Sequence, residues 1–477
     1  MITKIKKLIP RKVFRLLSPS YHFVLSLIAA IYHRFPSRNL IIIGVTGTAG
    51  KTSTSYLIYK MLNEAGYKAG LTSTAIFSDG EKEWLNDKKM TMPGRFFIQK
   101  MLKQMVVNRC LFAIVETTSE GIKQFRHRFI NYDTVIFTNL YPEHIESHGS
   151  FKKYKEAKGE LFSHLHRFSN KYVDDKLRVC HVKNGLKKID YTRVKKTIIV
   201  NGDDKQASYF LNFWSEAKII YSLDPKFDER RLIETLNSES LVKNIVTIKG
   251  ELKQVSASGL QIEIEDSMLE LSLLGDFNAK NVIAAFALGA SYLIPRDKII
   301  QGLKSVKSLA GKMELIEAGQ DFKAMVDYSF EPKALENLYS TIKLFPYNKL
   351  IHVLGATGGG RDKAKRPVMG KLAAQMADLV VITNEDPYDE DPLEIIKQVA
   401  SGAEAGGKEK EKNLFLILDR KEALRKAVIL AEKDDMVLVT GKGAEQFMCV
   451  KNSQKVPWDD RVELKRAIVD KLCVDKI

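Results

Sequence analysis

A glycine-rich turn that ends in Lys-Thr is the first feature of the sequence that can carry chemistry. The stretch GVTGTAGKTS, residues 44–53, places three glycines at three-residue intervals before Lys51 and Thr52. Glycines let backbone N–H groups approach a phosphate, and a helix N-terminus that follows adds a favourable dipole. The lysine would reach the β- and γ-phosphates, and the threonine hydroxyl would bind Mg²⁺. The strict pattern of Gly, four residues and Gly-Lys-Thr is not met, because Val45 stands where its first glycine should be.

The segments on either side of this turn indicate a nucleotide-binding α/β domain. Residues 40–46, LIIIGVT, form a short apolar run typical of a buried parallel strand. Residues 55–66, SYLIYKMLNEAG, have helical periodicity and a glycine stop. Helical stretches separate several further apolar runs, which predicts a mostly parallel sheet covered on both faces. These further strand candidates are residues 111–116, 134–140, 196–202 and 217–223.

The 477 residues are enough for two or three domains. Residues 242–273 alternate apolar and polar side chains, which predicts a few antiparallel strands late in the central domain. A second alternation of apolar runs and helices restarts near residue 309. We therefore predict a basic helical region at 1–39, a central P-loop domain with a mostly parallel sheet at 40–308, and a C-terminal Rossmann-like α/β domain at 309–477.

The net charge is +17. It could reflect binding to nucleic acid, to a membrane surface or to anionic small molecules, or only a solvated basic surface. The first 40 residues hold eight lysines and arginines and no acid. Their apolar run at 23–32 is shorter than the roughly 20 residues that span a bilayer, and no convincing cleavage site follows it. We interpret it as a helix docked on the next domain, with an interfacial membrane helix as the alternative. No nucleic-acid-binding module is recognisable, and four scattered cysteines fit a reduced, cytoplasmic protein.

The turn TGTAGKT, with its glycine spacing, resembles the Mur ligase family, which also includes folylpolyglutamate synthetases. The resemblance implies an ATP-dependent ligase that joins a carboxylate to an amine through an acyl phosphate. The chain is most similar to the branch that adds the third stem-peptide residue to UDP-MurNAc-dipeptide in peptidoglycan precursor synthesis. Further matching segments follow in the family's order: VETTSEGIKQFR (115–126), NLYPEHIESHGSFKKYKEAKGELF (139–162), GDFNAKNVIAA (275–285), GGGRDKAKRPVMG (358–370), TNEDPYDEDP (383–392), GKGAE (441–445) and PWDDR (457–461).

The resemblance also implies roles for individual residues, with ATP and Mg²⁺ as cofactors. The catalytic residues would be Lys51, Glu116, His144 and Lys158, and the metal ligands would be Thr52, Glu116, His144 and a carbamylated Lys158. Nucleotide contacts would come from Gly47, Thr48, Gly50, Lys51, Thr52, Ser53, Asn278, Asn281, Lys312, Asp327 and Tyr328. Substrates would meet Thr91, Pro93, Ser119, Gln124, Arg126, Arg361, Asn384, Asp386, Pro387, Gly441 and Glu445. For Asn278, a role as a helix N-cap is the alternative.

Departures from the family pattern fall mainly on the substrate side. Only about 40 residues precede the phosphate loop, where the family has a larger UDP-binding domain, so we expect altered recognition of uridine. Tyr388 stands where diaminopimelate-adding members have an arginine, which argues against that amino acid and leaves lysine or another open. Asp386 and Glu390 would favour a cationic side chain, unless they are merely solvated. Other replacements are Ala49 for Asn, Glu120, Phe330 and Ala444 for His, and Lys312 for Arg.

Two other functions stay open from the sequence. One is an amide ligase of the same chemistry with a folate, poly-amino-acid or lipid-linked acceptor. The other is a catalytically weak ATP-binding protein that assembles cell-wall enzymes, against which the intact phosphate and metal residues count. For partners we predict an anionic small-molecule acceptor and an amino acid, no nucleic acid, and peripheral membrane contact through the N-terminus of a monomer.

Overall fold

The computed structural model describes residues 11–143, 148–180, 191–236, 244–360 and 363–474. The helices are α1 (Arg11–Tyr32), α2 (Lys51–Glu64), α3 (Arg95–Val107), α4 (Ser119–Lys123), α5 (Phe151–Ser163), α6 (Ala207–Leu211), α7 (Glu229–Ile233), α8 (Phe277–Ser291), α9 (Arg296–Lys304), α10 (Pro332–Ile342), α11 (Lys365–Met376), α12 (Pro392–Ala405), α13 (Arg420–Leu430) and α14 (Asp460–Val474).

The strands are β1 (Ile41–Thr46), β2 (Ala69–Thr72), β3 (Ile76–Ser78), β4 (Glu83–Leu85), β5 (Phe112–Glu116), β6 (Thr134–Phe137), β7 (Tyr172–Val173), β8 (Val179–Cys180), β9 (Thr192–Arg193), β10 (Thr197–Asn201), β11 (Ala217–Ser222), β12 (Ile245–Ser256), β13 (Gly259–Ile264), β14 (Ser267–Leu271), β15 (Glu314–Leu315), β16 (Lys323–Asp327), β17 (Leu350–Leu354), β18 (Leu379–Thr383), β19 (Leu414–Ile417), β20 (Met436–Thr440), β21 (Phe447–Val450) and β22 (Gln454–Pro457).

The larger sheet has the order β14-β13-β12-β11-β10-β6-β1-β5-β2-β3-β4. Its middle, from β12 through β2, is entirely parallel, and antiparallel strands extend both edges. Every residue of β1 is buried, as expected for a parallel strand with helices on both faces. The five predicted strands and the predicted antiparallel segment are therefore confirmed. In addition, β12 pairs in parallel with β11, which joins the antiparallel segment to the main sheet.

The second sheet has the order β15-β16-β20-β17-β18-β19, and only its edge pair β15–β16 is antiparallel. Separate apolar clusters fill its two faces, which are covered by α10, α11 and α12 on one side and α13 and α14 on the other. The described residues thus form an α/β protein with two large sheets, in agreement with the predicted fold class, and two small antiparallel sheets, β8-β7-β9 and β21-β22, complete the list of strands. The three-part division at residues 39 and 308 stays a proposal.

The part of the chain that forms the larger sheet is called the larger unit, and the part that forms the second sheet is called the second unit. Helix α1 is docked on the larger unit, as the sequence predicted. The Ser26 hydroxyl donates to the Phe125 carbonyl at 2.9 Å. The Arg95 guanidinium donates to the His22 carbonyl at 3.2 Å and contacts the His22 ring. Within the described part of the chain, no helix is both long and apolar enough to cross a bilayer.

Two histidines lie side by side beneath the larger sheet. The rings of His127 and His164 have centroids 5.1 Å apart, and both side chains are buried. Burial lowers the pKa of both rings, to about 3 for His164, and the neighbouring Arg128 and Arg167 act in the same direction. The folded chain therefore keeps both rings neutral at pH values where an unfolded chain would protonate them.

This pair predicts a loss of stability on mild acidification. Because the folded-state pKa lies below the unfolded value of about 6.5, the free energy of unfolding should fall as pH drops below that value. The expected slope is up to about 1.4 kcal/mol per pH unit for each ring. Replacing one ring in His127→Leu should remove up to that much of the slope between pH 6.5 and 5.

Urea titrations at several pH values measure this effect. His166→Leu is the matched control, because His166 is exposed, and it should leave the slope unchanged. Parallel pH profiles for the wild type and His127→Leu would contradict the prediction.

Candidate active site

The phosphate loop connects β1 to α2 at the carboxyl end of the central parallel strands. Gly50, which ends the loop, has a φ of 78°, and a Cβ there would lie 2.4 Å from the Asn281 carboxamide oxygen. The site therefore requires glycine at this position. Asn139 holds the loop from outside, since its carbonyl accepts the Thr48 N–H at 2.9 Å and its side-chain oxygen accepts the Ala49 N–H at 2.8 Å.

Lys51 lies folded over this loop. Its ammonium donates to the carbonyls of Gly47 at 3.1 Å and Thr48 at 2.7 Å. Burial lowers the pKa of Lys51, whereas Glu116 and Glu143 oppose that shift. The predicted phosphate-binding lysine is therefore at the loop, with its charge directed at the place where phosphates would bind.

The predicted metal ligands Thr52 and Glu116 meet at the end of β5. The Thr52 hydroxyl donates to one Glu116 oxygen at 3.1 Å. The same carboxylate accepts the Thr74 N–H at 2.7 Å and the Thr74 hydroxyl at 2.9 Å. Thr74 in turn lies 2.7 Å from the Thr91 hydroxyl. A hydroxyl and a carboxylate are oxygen ligands of the kind that Mg²⁺ prefers, so these residues fit the ion.

Sequence reasoning missed Thr74. It lies in a Ser-Thr loop after β2, and its spacing to Glu116 carries no motif. Only the parallel pairing of β2 with β5 brings it to that carboxylate. Thr74 links the predicted metal ligand Glu116 to the predicted acceptor residue Thr91.

Lys158 is buried on α5, directly behind the phosphate loop. Its amine donates to the Gly47 carbonyl at 2.7 Å and lies 4.6 Å from the centroid of the Tyr154 ring. Burial lowers the pKa of Lys158 well below its ordinary value, and the nearby Lys51 lowers it further. Lys51 and Lys158 thus share one carbonyl acceptor. The fourth predicted catalytic residue, His144, lies outside the described residues.

Glu143 is a second residue that the sequence reasoning missed. Burial raises the pKa of its carboxyl, whereas Lys51, Lys158 and Lys365 lower it. It adjoins the predicted His144 in sequence, so the same motif could have drawn attention to it. These lysines come from distant parts of the sequence, since Lys51 and Lys158 belong to the larger unit and Lys365 belongs to the second unit.

Two adjoining cavities between the sheets gather most of the predicted nucleotide residues. Their volumes are about 340 Å³ and 200 Å³. Ser53, Lys312 and Asp327 line both of them, and Phe277 supplies an apolar wall. The predicted residues in one or both linings are Gly50, Ser53, Asn278, Asn281, Lys312 and Asp327.

The start of α8 brings two predicted asparagines to the loop. Asn281 donates to the Asn278 side-chain oxygen at 2.8 Å and accepts the Thr54 hydroxyl at 3.2 Å. The alternative of Asn278 as N-cap is wrong, because Asp276 caps the helix by accepting the Phe277 N–H at 2.8 Å. The Asn278 amide instead donates to the Leu274 carbonyl.

Residues of the second unit close the other side of the cavities. The Lys312 ammonium lies 4.8 Å from the centroid of the Tyr328 ring. The Asp327 carboxylate accepts the Met313 N–H at 2.8 Å and the Ser329 N–H at 2.7 Å, so it holds the backbone at both of these positions. The Tyr328 hydroxyl donates to Glu445 at 3.1 Å. The residues predicted to bind the nucleotide and those predicted to bind the amino acid are therefore in contact through Tyr328 and Glu445.

The predicted acceptor residues lie together beside α4. Arg126 donates to the Met92 carbonyl, between Thr91 and Pro93, and to the Gln124 side-chain oxygen at 2.7 Å. The Ser119 hydroxyl lies 3.1 Å from His148 Nε2. His148 is a further residue that the sequence reasoning did not single out, although it lies in the matched His-Gly segment.

The predicted amino-acid loop carries a buried ion-pair network. Lys442 lies 3.1 Å from both Asp386 carboxylate oxygens and also pairs with Glu445. Lys89, from the loop that carries Thr91, pairs with Asp386 as well and lies 3.3 Å from Glu445. Neither lysine was predicted, because nothing in their local sequence indicates pairing with Asp386, which lies 297 residues from Lys89 and 56 residues from Lys442.

The remaining predicted residues of this loop hold its shape. The Asn384 carbonyl accepts the Arg420 guanidinium at 3.2 Å, and Pro387 is buried. Gly441 has a φ of 110°, and a Cβ there would lie 2.4 Å from a Glu385 carboxylate oxygen. Glu390 pairs with Arg366 at 3.1 Å. The predicted Arg361 lies outside the described residues.

Comparison with known proteins gives consistent matches along the chain. Residues 45–191 match the Mur ligase middle domain, and residues 311–443 match the Mur ligase, glutamate ligase domain. The chain is 32% identical to a UDP-N-acetylmuramyl-tripeptide synthetase of Roseiflexus sp., over 95% of this chain and 83% of the relative. It is 34% identical to the enzyme of the same name from Borreliella burgdorferi, over 92% and 78%. A solved UDP-N-acetylmuramoyl-L-alanyl-D-glutamate–2,6-diaminopimelate ligase is similar with a TM-score of 0.54 at 25% identity, covering 91% of this chain and 79% of that one.

Thr74 provides a test of the metal-binding arrangement. Thr74→Val removes the hydroxyl that orients Glu116 and keeps the side-chain shape. We expect a loss of 10- to 100-fold in Mg²⁺ affinity, the range usual for hydrogen-bond partners of metal ligands. Calorimetric titration of Mg²⁺ into protein with a non-hydrolysable ATP analogue measures it.

Thr74→Ser is the matched control and should retain near wild-type affinity. Thermal unfolding of both variants checks that the fold is intact. Wild-type Mg²⁺ affinity in a folded Thr74→Val protein would show that the hydroxyl does not support the metal site.

Proposed function

The chain belongs to the Mur ligase family of ATP-dependent ligases, and we propose that it adds an amino acid to the carboxylate of a muramoyl peptide. The reaction would pass through an acyl phosphate and serve peptidoglycan precursor synthesis. One observation carries the proposal most directly. The half-buried Lys51, the buried Lys158 and the Thr52–Glu116 pair converge on one phosphate loop.

This convergence fits the electrostatic problem of the reaction. The acceptor carboxylate and the γ-phosphate are both anionic, so cations must offset their repulsion before an oxygen can attack phosphorus. Lys51 would hold the phosphates and stabilise the charge that develops as ADP leaves. Bound Mg²⁺ would supply further positive charge and polarise the phosphoryl oxygens. The amine of the amino acid then attacks the acyl carbon, the amide bond forms and phosphate leaves.

We assign the side chains by the region in which they lie. Thr52 and Glu116 would bind Mg²⁺, together with His144. The loop residues Gly47, Thr48, Gly50 and Ser53 would hold the phosphates, while Asn278, Asn281, Lys312, Asp327 and Tyr328 would hold the nucleoside. The acceptor would bind near Thr91, Pro93, Ser119, Gln124 and Arg126, and the amino acid near Asn384, Asp386, Pro387, Gly441, Glu445 and Arg361.

Lys158 would act as a metal ligand after carbamylation by CO₂. An unmodified lysine offers no anionic oxygen to a cation, whereas a carbamate does. Carbamylation requires the neutral amine, and burial beside Lys51 favours that form. The Lys158 amine also donates to the Gly47 carbonyl at 2.7 Å, which places it at the phosphate loop.

The amino acid is set by the loop at Asp386. The sequence suggested that Asp386 and Glu390 would favour a cationic side chain. Both carboxylates already face cations of the chain, Asp386 with Lys442 and Lys89, and Glu390 with Arg366. An assay therefore has to include neutral and acidic amino acids beside lysine. We further propose that the enzyme acts as a monomer.

The proposal predicts that phosphate release requires both substrates. With ATP, Mg²⁺ and bicarbonate, UDP-MurNAc-dipeptide and one amino acid should together stimulate release, and neither should do so alone. Lys51→Ala should lower the stimulated rate at least about 100-fold, because it removes a principal source of charge stabilisation. Chromatography of the product identifies the amide.

The same assay separates the alternatives. If a folate or a lipid-linked carboxylate stimulates release instead, the ligase chemistry of the proposal holds and the acceptor is not a muramoyl peptide. ATP binding without stimulation by any acceptor and amino-acid pair would contradict the enzyme and favour a binding role.

Carbamylation of Lys158 predicts that the protein itself can be labelled with ¹³C. Protein equilibrated with ¹³C-bicarbonate should show a carbamate carbon signal by NMR that Lys158→Arg lacks. Lys158→Arg should also lower turnover at least about 100-fold. Lys155→Arg, one turn earlier on α5, is the matched control and should retain signal and turnover. An equal signal in Lys158→Arg would overturn the assignment.

A further inference from the structure

Helix α1 presents large apolar side chains to solvent. The outward face of α1 consists of Tyr21, Val24, Ile28, Ile31 and Tyr32, whose exposed fractions range from 42% to 74%. These positions follow a spacing of three or four residues, so they form one continuous stripe along the helix. The stripe is an exposed apolar face of a kind that marks interaction sites.

The opposite face of α1 is the one that docks on the protein. Its buried members are the small residues Ser26, Ala29 and Ala30, and Phe23 packs beside them on Phe125 and Phe129. A surface helix of a globular protein normally has the reverse arrangement, with large apolar residues inward. Packing against the protein therefore does not explain why the outward face is apolar.

The surroundings of this face are basic. Phe96 of α3 contacts Tyr32 edge-on, with ring centroids 6.3 Å apart, and extends the apolar stripe. Lys100 and Lys103, which follow Phe96 on α3, are exposed. Partial burial lowers the pKa of His33 at the end of α1, and the charges of these two lysines lower it further. The residues 1–43 contain no Asp or Glu. The patch thus combines apolar and aromatic side chains with two exposed lysines.

We propose that the outward face of α1, together with Phe96, Lys100 and Lys103, is a docking surface for a membrane that contains anionic lipids. The apolar stripe would lie in the plane of the interface, and the lysines would meet lipid phosphates. Tyr32 and Phe96 have the amphipathic or aromatic character found at the level of the headgroups. At about 1.5 Å per residue the 22-residue helix is about 33 Å long and would lie flat on the surface.

The position of the patch gives this docking a consequence for the proposed reaction. Helix α3 begins at Arg95, directly after the loop that carries Thr91 and Pro93. A membrane bound at α1 and α3 would therefore lie beside the proposed acceptor side of the site. The docking itself does not depend on the proposed ligase activity, and the two fail independently.

Vesicle co-sedimentation of the full chain tests the proposal. We expect binding to vesicles of equal parts phosphatidylcholine and phosphatidylglycerol, and at least tenfold weaker binding to phosphatidylcholine alone. Binding should weaken strongly at about 1 M salt, where the screening length is about 3 Å. Lys100→Gln and Lys103→Gln should each weaken binding about fivefold.

The double variant Ile28→Ser/Ile31→Ser should weaken binding to the anionic vesicles at least tenfold. Ile429→Ser is the matched control, because Ile429 is 67% exposed on α13 and far along the chain from α1. All variants should keep the thermal midpoint and the solution phosphate-release rate of the wild type.

Three results would overturn the proposal. One is a wild-type chain that binds no vesicle. Another is a wild-type dimer in light scattering that the Ile28→Ser/Ile31→Ser variant converts to a monomer without any vesicle binding, since a second copy would then cover the face. Equal vesicle binding by that variant and by Ile429→Ser would likewise show that the outward face of α1 is not the docking surface.

Discussion

The hydrogen bonds that hold the carbonyl oxygens of the phosphate loop are the interaction on which the site depends. Gly47 O accepts from Lys51 and Lys158, Thr48 O accepts from Lys51, and Ala49 O accepts from the Thr138 hydroxyl at 2.7 Å. Fixing the carbonyls fixes the peptide planes, and the first N–H groups of α2 have no acceptor within the helix. The loop therefore enters the reaction already shaped to receive phosphate oxygens.

The donors that shape the loop are also groups that the chemistry would use. Lys158 is buried and Lys51 is half-buried, and removing an amine from water is costly unless it is paired or neutral. Hydrogen bonds to the loop offset part of that cost, and the lowered pKa of Lys158 offsets more of it. Burial of Lys158 beside the loop would thus both support the loop and favour the neutral, reactive amine.

The two sheets are joined through charged groups at the substrate side. Lys89 comes from the loop that carries the proposed acceptor residues, and it pairs with Asp386 and Glu445 of the second unit. Tyr328 joins Glu445 to Lys312, which lines both cavities. Any separation of the units would break these buried pairs and expose their charges. We infer that closure of the units and assembly of the amino-acid loop are coupled.

The local pattern of residues determined much of the fold and part of the site. The apolar runs of β1, β5, β6, β10 and β11 are strands because short buried parallel strands must be continuously apolar, and that property is visible in sequence. The phosphate loop is equally local. Glu116 was predictable as a site residue because it ends such a strand. The family resemblance supplied Lys158, Asp327 and the loop at Asp386.

Only the tertiary structure decided which distant side chains complete the site and which face of α1 is turned outward. Thr74 reaches Glu116 through the pairing of β2 with β5, and Lys89 reaches Asp386 across the two units. The N-cap at Asp276 rather than Asn278 also followed from where α8 begins. A sequence pattern records the chemistry and periodicity of neighbouring residues, whereas hydrogen bonds and burial depend on distances that only the folded chain sets.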